Sequence, residues 1–168
     1  MGTSLESASL AISKAQIVYL LDGDQTGHLT VAKLTRWVER GTEPPGTLAY
    51  LGAYELFVYV TPHSRAKAAK KVKARTLRKW PLAALTIGTF PDTLDVQTSV
   101  LGGRRILYLP VQKGSEITDL TMAFVAGAIC SICPVDAIFR IVSNDNHAKY
   151  LTQLLEWMGH HSQLIPPQ

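Results

Sequence analysis

Two carboxylates one glycine apart, Asp22 and Asp24, close an unbroken apolar run, Ile17-Val18-Tyr19-Leu20-Leu21. Like charges this close repel unless a cation or a proton sits between them, so the pair needs a chemical reason. Further acids stand elsewhere in the chain. Glu116 and Asp119 are three apart at the head of an expected helix and share a face. Asp145 follows another apolar run, Ala137-Ile138-Phe139-Arg140-Ile141-Val142, and opens the last expected helix, with His147 two residues on. Hard oxygen ligands of this kind suit Mg²⁺ or Mn²⁺, which a few carboxylates hold while water fills the remaining positions. A metal held this way can activate water and neutralise charge on a phosphoryl group. Each acid also has a purely structural reading. Asp is a favoured helix N-cap, which covers Asp22, Asp24 and Asp145, and a helix dipole favours acids in its first turn, which covers Glu116 and Asp119. Only the joint pattern points to a site.

The elements that must position these side chains follow from periodicity. An apolar run that stops at acids reads as a buried parallel strand ending in a loop, and in open α/β sheets ligands gather just past the carboxyl ends of the strands. Residues 1–14 read as a loose, serine-rich lead-in to a single domain over 15–168. Strands are expected at 16–21, 55–60, 82–88, 105–110 and 137–142, with a last short strand within 160–165. Helices are expected at 26–40, 65–80, 113–129 and 146–158, with Gly41, Pro81 and Gly159 as stop signals. In the last helix His147, Leu151, Leu154, Leu155 and Met158 fall on one face, and Trp37, Phe124 and Trp157 read as core. Residues 89–104, with Pro91, Gly102 and Gly103, read as a long loop or a small hairpin. Strands alternating with helices imply a mostly parallel sheet with helices on both faces.

With 168 residues, 46% hydrophobic and 18% charged, the chain has the composition of one folded, soluble domain. A net charge of +4 permits a polyanionic partner without demanding one. Cys130 and Cys133 are the only cysteines, which argues against a disulfide scaffold and for the reducing cytoplasm. Their spacing is that of a redox motif, but no second pair completes a zinc site, and buried thiols are the expected reading. No secretory signal is visible, Glu6 breaks a myristoylation pattern at Met1-Gly2, and the longest apolar run, near 123–133, is too short to span a bilayer. Lys67, Lys70, Lys71, Arg75 and Arg78 line one side of the expected 65–80 helix, where they would either track a phosphate backbone or form a solvated face.

Taken in order, three motifs resemble the PIN-like nucleases, and most closely their NYN branch. That branch opens with a strand ending Asp-Gly-Asp/Glu-Asn, where this chain has Asp22-Gly23-Asp24-Gln25. Its Lys-Gly-x-Asp step into a helix is matched by Lys113-Gly114-Ser115-Glu116, and its Ser-Gly-Asp-x-Asp by Ser143-Asn144-Asp145-Asn146-His147. The resemblance implies a three-layer α/β/α domain that hydrolyses phosphodiesters of RNA or single-stranded nucleic acid with Mg²⁺ or Mn²⁺. It implies Asp22, Glu116 and Asp145 as the catalytic metal ligands, with Asp24, Asp119 and His147 as further ligands. Lys113 and the basic face would meet the nucleic acid, and a homo-oligomer is compatible with it. The departures are His147 for an acid, Gln25 for Asn and Glu116 for Asp; a neutral imidazole can still ligate, but it removes a charge that Mg²⁺ favours. They leave open a degenerate module that binds nucleic acid or a protein. A third reading takes Asp22, Asp24 and Thr26 as the Asp-x-Asp-x-Thr of haloacid dehalogenase-like phosphatases. Asp22 would then be the nucleophile and Asp24 the acid/base, while Thr61 would hold the phosphate and Lys113 steady the charge.

Overall fold

The structure is a computed structural model that describes residues 5–42, 54–62, 97–111 and 117–168. It opens with a helix, α1 (Leu5–Lys14), and not with a loose lead-in. Ala8, Ile12 and Ala15 recur at helical spacing, and all three are buried in the core. Ser9, half-buried, and Ser13, exposed, interrupt this stripe in the sequence. β1 (Ile17–Asp22) follows, buried at all six positions. The expected helix over 26–40 starts later, at Val31, and a separate turn precedes it. A single turn, α2 (Gly23–Thr26), ends at Gly27, whose φ of 62° no helix accepts. Thr30 then caps α3 (Val31–Arg40) by accepting from Lys33 N at 3.2 Å.

β2 (Glu55–Pro62) runs parallel to β1. β3 (Gln97–Leu101) and β4 (Arg104–Val111) form an antiparallel hairpin. Its turn is Gly102-Gly103, both at positive φ, which is the backbone that tight two-residue hairpins need. α4 (Ile117–Cys130), β5 (Ile138–Val142), α5 (Asn146–Trp157) and β6 (Ser162–Ile165) complete the chain. Among the described residues, six strands form one sheet in the order β3-β4-β2-β1-β5-β6, parallel throughout except for β3. The fold is therefore α/β with a mixed, mostly parallel sheet.

Residues of β1 alternate between two apolar clusters. Val18 and Leu20 pack with Ile12, Val125, Ile129 and Leu151 from α1, α4 and α5. Ile17, Tyr19 and Leu21 pack with Leu34 and Trp37 from α3. Successive strand side chains point to opposite faces, so an unbroken apolar strand must be covered twice. After β1 the chain moves to β2 on one side, and later to β5 on the other. The gap between the ends of β1 and β5 is thus the point where the direction of winding reverses, and it is where such sheets hold ligands.

Two expectations about the core need correction. Trp157 is 86% exposed, because α5 buries Ala148, Leu151 and Leu155 and Trp157 lies off that stripe. Leu154 and Met158, assigned to the same apolar face, are 48% and 56% exposed for the same reason. Phe124 is half-buried, whereas Trp37 is fully buried and donates its indole N–H to Pro167 O at 3.1 Å. The expected 65–80 helix and 82–88 strand lie outside the described residues. Among the described residues, no helix is long and apolar enough to cross a membrane.

Because Ile12 is fully buried, Ile12→Ala should cost about 3 kcal/mol in urea unfolding. A cost below about 1 kcal/mol would return residues 5–14 to the status of a dispensable lead-in.

Candidate metal centre

β1 and β5 are paired so that Leu21 faces Val142. The chain therefore leaves both strands at the same edge, and residues 121 positions apart meet there. Ser143 joins the two ends. Its hydroxyl donates to Asp22 Oδ2 at 2.8 Å and accepts from Asp145 N at 3.0 Å. Asp22 Oδ1 accepts from Asp24 N at 3.1 Å, and Asp145 Oδ1 accepts from His147 N at 3.0 Å. Both acids are thus helix N-caps, of α2 and α5, and the structural reading holds for each.

The caps also converge. Asp119 lies in the first turn of α4 with a side chain only 19% exposed. His147 Nδ1 stands 3.0 Å from Asp145 Oδ1 and 3.4 Å from Asp119 Oδ2. One ligating atom from each of Asp119, Asp145 and His147 lies within 4.8 Å of the others, a spacing one metal ion could bridge. Asp22 is not in this group. It is 2% exposed and sits behind it, lining the same cavity as Asp119 and His147. Asp24 is exposed and contributes its backbone N–H to Asp22. Glu116, Lys113, Lys67, Lys70, Lys71, Arg75 and Arg78 lie outside the described residues, and Thr61 falls within β2.

The charges are not comfortable together. Burial pushes the Asp22 carboxyl up, against the hydrogen bonds from Ser143 and Asp24 N, and the nearby Asp24 and Asp145 add to the rise. Burial, then Asp145 and Asp22, push Asp119 from 3.8 to about 6, while His147 pulls it down. Asp145 goes the other way, because the backbone N–H of His147 holds its charged form. A site that raises its own acids favours a cation or a proton among them. Two carboxylates and one imidazole fit a divalent cation, and the nitrogen suits Mn²⁺ better than Mg²⁺.

Sequence reasoning assigned no role to Ser143, although a serine two residues before an acid at a helix start can support it through its hydroxyl. It also missed the apolar wall of the cavity, which includes Leu120, Ala123, Tyr150 and Leu154. The cavity measures about 180 Å³. Cys130 and Cys133 are half-buried free thiols, pushed by burial to about 12 and about 11, far from the values of reactive cysteines.

Ser143→Ala leaves a buried carboxylate short of a donor and should cost about 2 kcal/mol at pH 8. The cost should shrink at pH 4, because the lost bond favours the charged form of an acid already raised by burial. Asp119 carries the opposite sign to a salt-bridged acid. Between 3.8 and about 6 the folded state holds a proton that the unfolded state has released, so stability falls as pH rises through that window. Asp119→Asn should flatten this fall and stabilise the metal-free protein at pH 8 by on the order of 1–2 kcal/mol, with no gain at pH 4. Urea melts at the two pH values check both; an equal effect of Asp119→Asn at both would remove the like-charge account. Compared with known proteins, the chain shows no significant match to a family model, to a curated protein or to a solved structure.

Proposed function

We propose that this chain is a three-layer, PIN-like domain of NYN type that hydrolyses phosphodiesters of RNA or single-stranded nucleic acid with a divalent cation, Mn²⁺ before Mg²⁺. The observation that carries this reading is the convergence of Asp119, Asp145 and His147 at the point where the sheet reverses its winding, with Asp22 directly behind. Three motifs in family order, two of them visible in the structure at this one edge, support the family reading. Two cysteines left as thiols are in keeping with a cytoplasmic setting.

In this reading each residue has a distinct task. Asp145 is kept ionised by the His147 N–H and is the constant anionic ligand. Asp119 and His147 join it when they lose their protons. Asp22 fixes Ser143, and through it the loop that carries Asp145. A bound cation would supply positive charge to the phosphoryl oxygens and make a water easier to deprotonate. Lys113 and the 65–80 basic face would draw the polyanion in.

A second reading has its own observation. His147 Nδ1 lies between two carboxylates at the place a cation would neutralise them. A protonated imidazole there satisfies the acids by itself, which suits a degenerate module that binds nucleic acid or a protein. The phosphatase reading fares worse. Asp22 is 2% exposed, and its two oxygens accept from Ser143 and Asp24 N, whereas a nucleophile needs an open path to phosphorus.

Cleavage of labelled single-stranded RNA and DNA in Mg²⁺, Mn²⁺ and EDTA decides among these. The nuclease reading expects RNA cleavage with Mn²⁺, none in EDTA, and a loss of at least about a hundredfold in Asp145→Asn. A folded protein that cleaves in no metal selects the degenerate module. Because ligands must shed protons, the rise in Tm with Mn²⁺ should grow from pH 5.5 to pH 8. His147→Asp should lower metal-free stability and enlarge the Mg²⁺-induced rise; a variant that responds to neither ion would sink the metal assignment.

A further inference from the structure

At the other end of the parallel strands lies a second hollow, and its charge is of the opposite sign. It measures about 380 Å³, larger than the cavity of about 180 Å³ beside the acids and within the range of small-molecule sites. α1 forms one wall and the sheet its floor. α1 turns Ala8, Ile12 and Ala15 into the core, which leaves Leu10, Ala11 and Lys14 on the flank that lines the hollow. The floor includes Leu56 and Leu107, both buried. Register pairs Thr98 with Leu107 and Val100 with Arg105, so these side chains share one face of the sheet. Leu10 is 54% exposed and Val100 67%, so two apolar side chains stay in solvent beside a buried apolar floor.

Two cations border that floor. Adjacent strand residues point to opposite faces, and Arg104 and Arg105 divide accordingly. Arg104 pairs with Glu55 at 3.0 Å. The Arg105 guanidinium instead lies over the Tyr54 ring, 4.1 Å from its centroid, which orients the plane of its fork. Lys14 lines the same hollow, and the lining includes no Asp, Glu or His. Among the described residues, neither Lys14 nor Arg105 stands in an ion pair. A guest that suits these walls is apolar along its body and anionic at one end.

We propose that this hollow binds a small amphipathic anion, whose carboxylate or phosphate head meets Lys14 and Arg105 while its apolar body lies on Leu56 and Leu107 beside Leu10 and Val100. Carboxylate and phosphate both present the paired oxygens that a guanidinium fork takes. A cationic head would meet two like charges, and a neutral guest would gain nothing from either. Asp22 closes β1 and Asp145 follows β5, whereas Tyr54 precedes β2 and Arg105 stands at the start of β4. The hollow therefore stands or falls independently of the acidic edge.

The test is a titration of the full chain with octanoate and with octyl phosphate, both kept below micelle formation. It is read by the methyl signals of Leu10, Leu56, Val100 and Leu107. Octanol, octyltrimethylammonium and acetate are the comparisons. The site predicts saturable one-to-one shifts with at least one of the two long anions. Octanol and the ammonium should bind at least about tenfold more weakly, and acetate, which lacks the body, should cause no shift. The tighter of the two anions tells a fatty-acid type of guest from a phosphate monoester. Arg105→Gln and Lys14→Gln remove the charge at exposed positions, so folding should survive. Each should weaken the anion about tenfold and leave octanol unchanged, which a merely greasy surface would not do. Val100→Asp sets a carboxylate opposite Arg105 in register and should weaken the anion in the same way. Equal shifts with octanoate, octanol and the ammonium, shifts that ignore the charge variants, or no shift at all would overturn the site. The Mn²⁺-induced Tm rise is measured separately, with and without octanoate. A chain that takes octanoate and ignores Mn²⁺ would lose the metal centre and keep this site, and the reverse result would remove this site alone.

Discussion

One hydroxyl holds the acidic edge together. Ser143 spans the ends of two adjacent parallel strands, giving its proton to Asp22 and taking the N–H of Asp145. Without it, a carboxylate that is 2% exposed would face another acid across the sheet with one fewer donor. A buried charge is tolerable only when its lone pairs are met, and here they are met by one side chain and one backbone amide. Pairing of β1 with β5 brings Ser143 within reach, and the two apolar clusters keep that pairing in register. Core and site are therefore not separable: a slip of β5 by one residue would turn its side chains to the opposite faces and carry Ser143 away from Asp22.

The second constraint is electrostatic. Asp22, Asp24, Asp119 and Asp145 crowd one edge, and the structure answers with His147, whose Nδ1 is within 3.4 Å of two of them. An imidazole between carboxylates acts as a removable countercharge. It neutralises the edge when protonated and becomes a ligand when it is not. The imidazole between Asp119 and Asp145 thus offers a way for the site to exist both with and without an ion.

Much of this was legible in the sequence, and the misses have physical causes. The unbroken runs at 17–21 and 137–142 announced doubly covered strands, and acids at their ends announced the edge where they meet. Asp119, Asp145 and His147 were all named as candidates for one acidic crevice, and one ligating atom of each lies within 4.8 Å of the others; what the sequence did not show is that Ser143 ties this group to Asp22 across the paired strands. Asp22, expected among the ligands, is 2% exposed and lies outside the group of three, a depth that sequence does not report. α1 was overlooked because its stripe is built largely from alanines, which carry little hydrophobic signal and still pack closely. Trp157 misled in the opposite way: a large apolar side chain was taken for core, although its position on α5 puts it in solvent. The glycines behaved as their chemistry requires, since Gly27 and Gly102-Gly103 mark the places where positive φ breaks a helix and closes a hairpin.

Capping and ligation are usually weighed as alternatives for an acid at a helix start, but here they reinforce each other. The N–H that Asp145 caps is the reason its carboxyl is held below the usual range, so the cap keeps it ionised at any pH at which the protein would work. Asp119 sits in a first turn too, but burial and its neighbours dominate, and its proton leaves only near 6. Of the three groups spaced to share an ion, Asp145 is therefore a permanent anion and Asp119 a conditional one, with the His147 imidazole between them. A fixed charge gives a cation an anchor. The conditional acid and the imidazole let a proton hold the place until a cation takes it. That division of labour follows from where each acid sits on its helix.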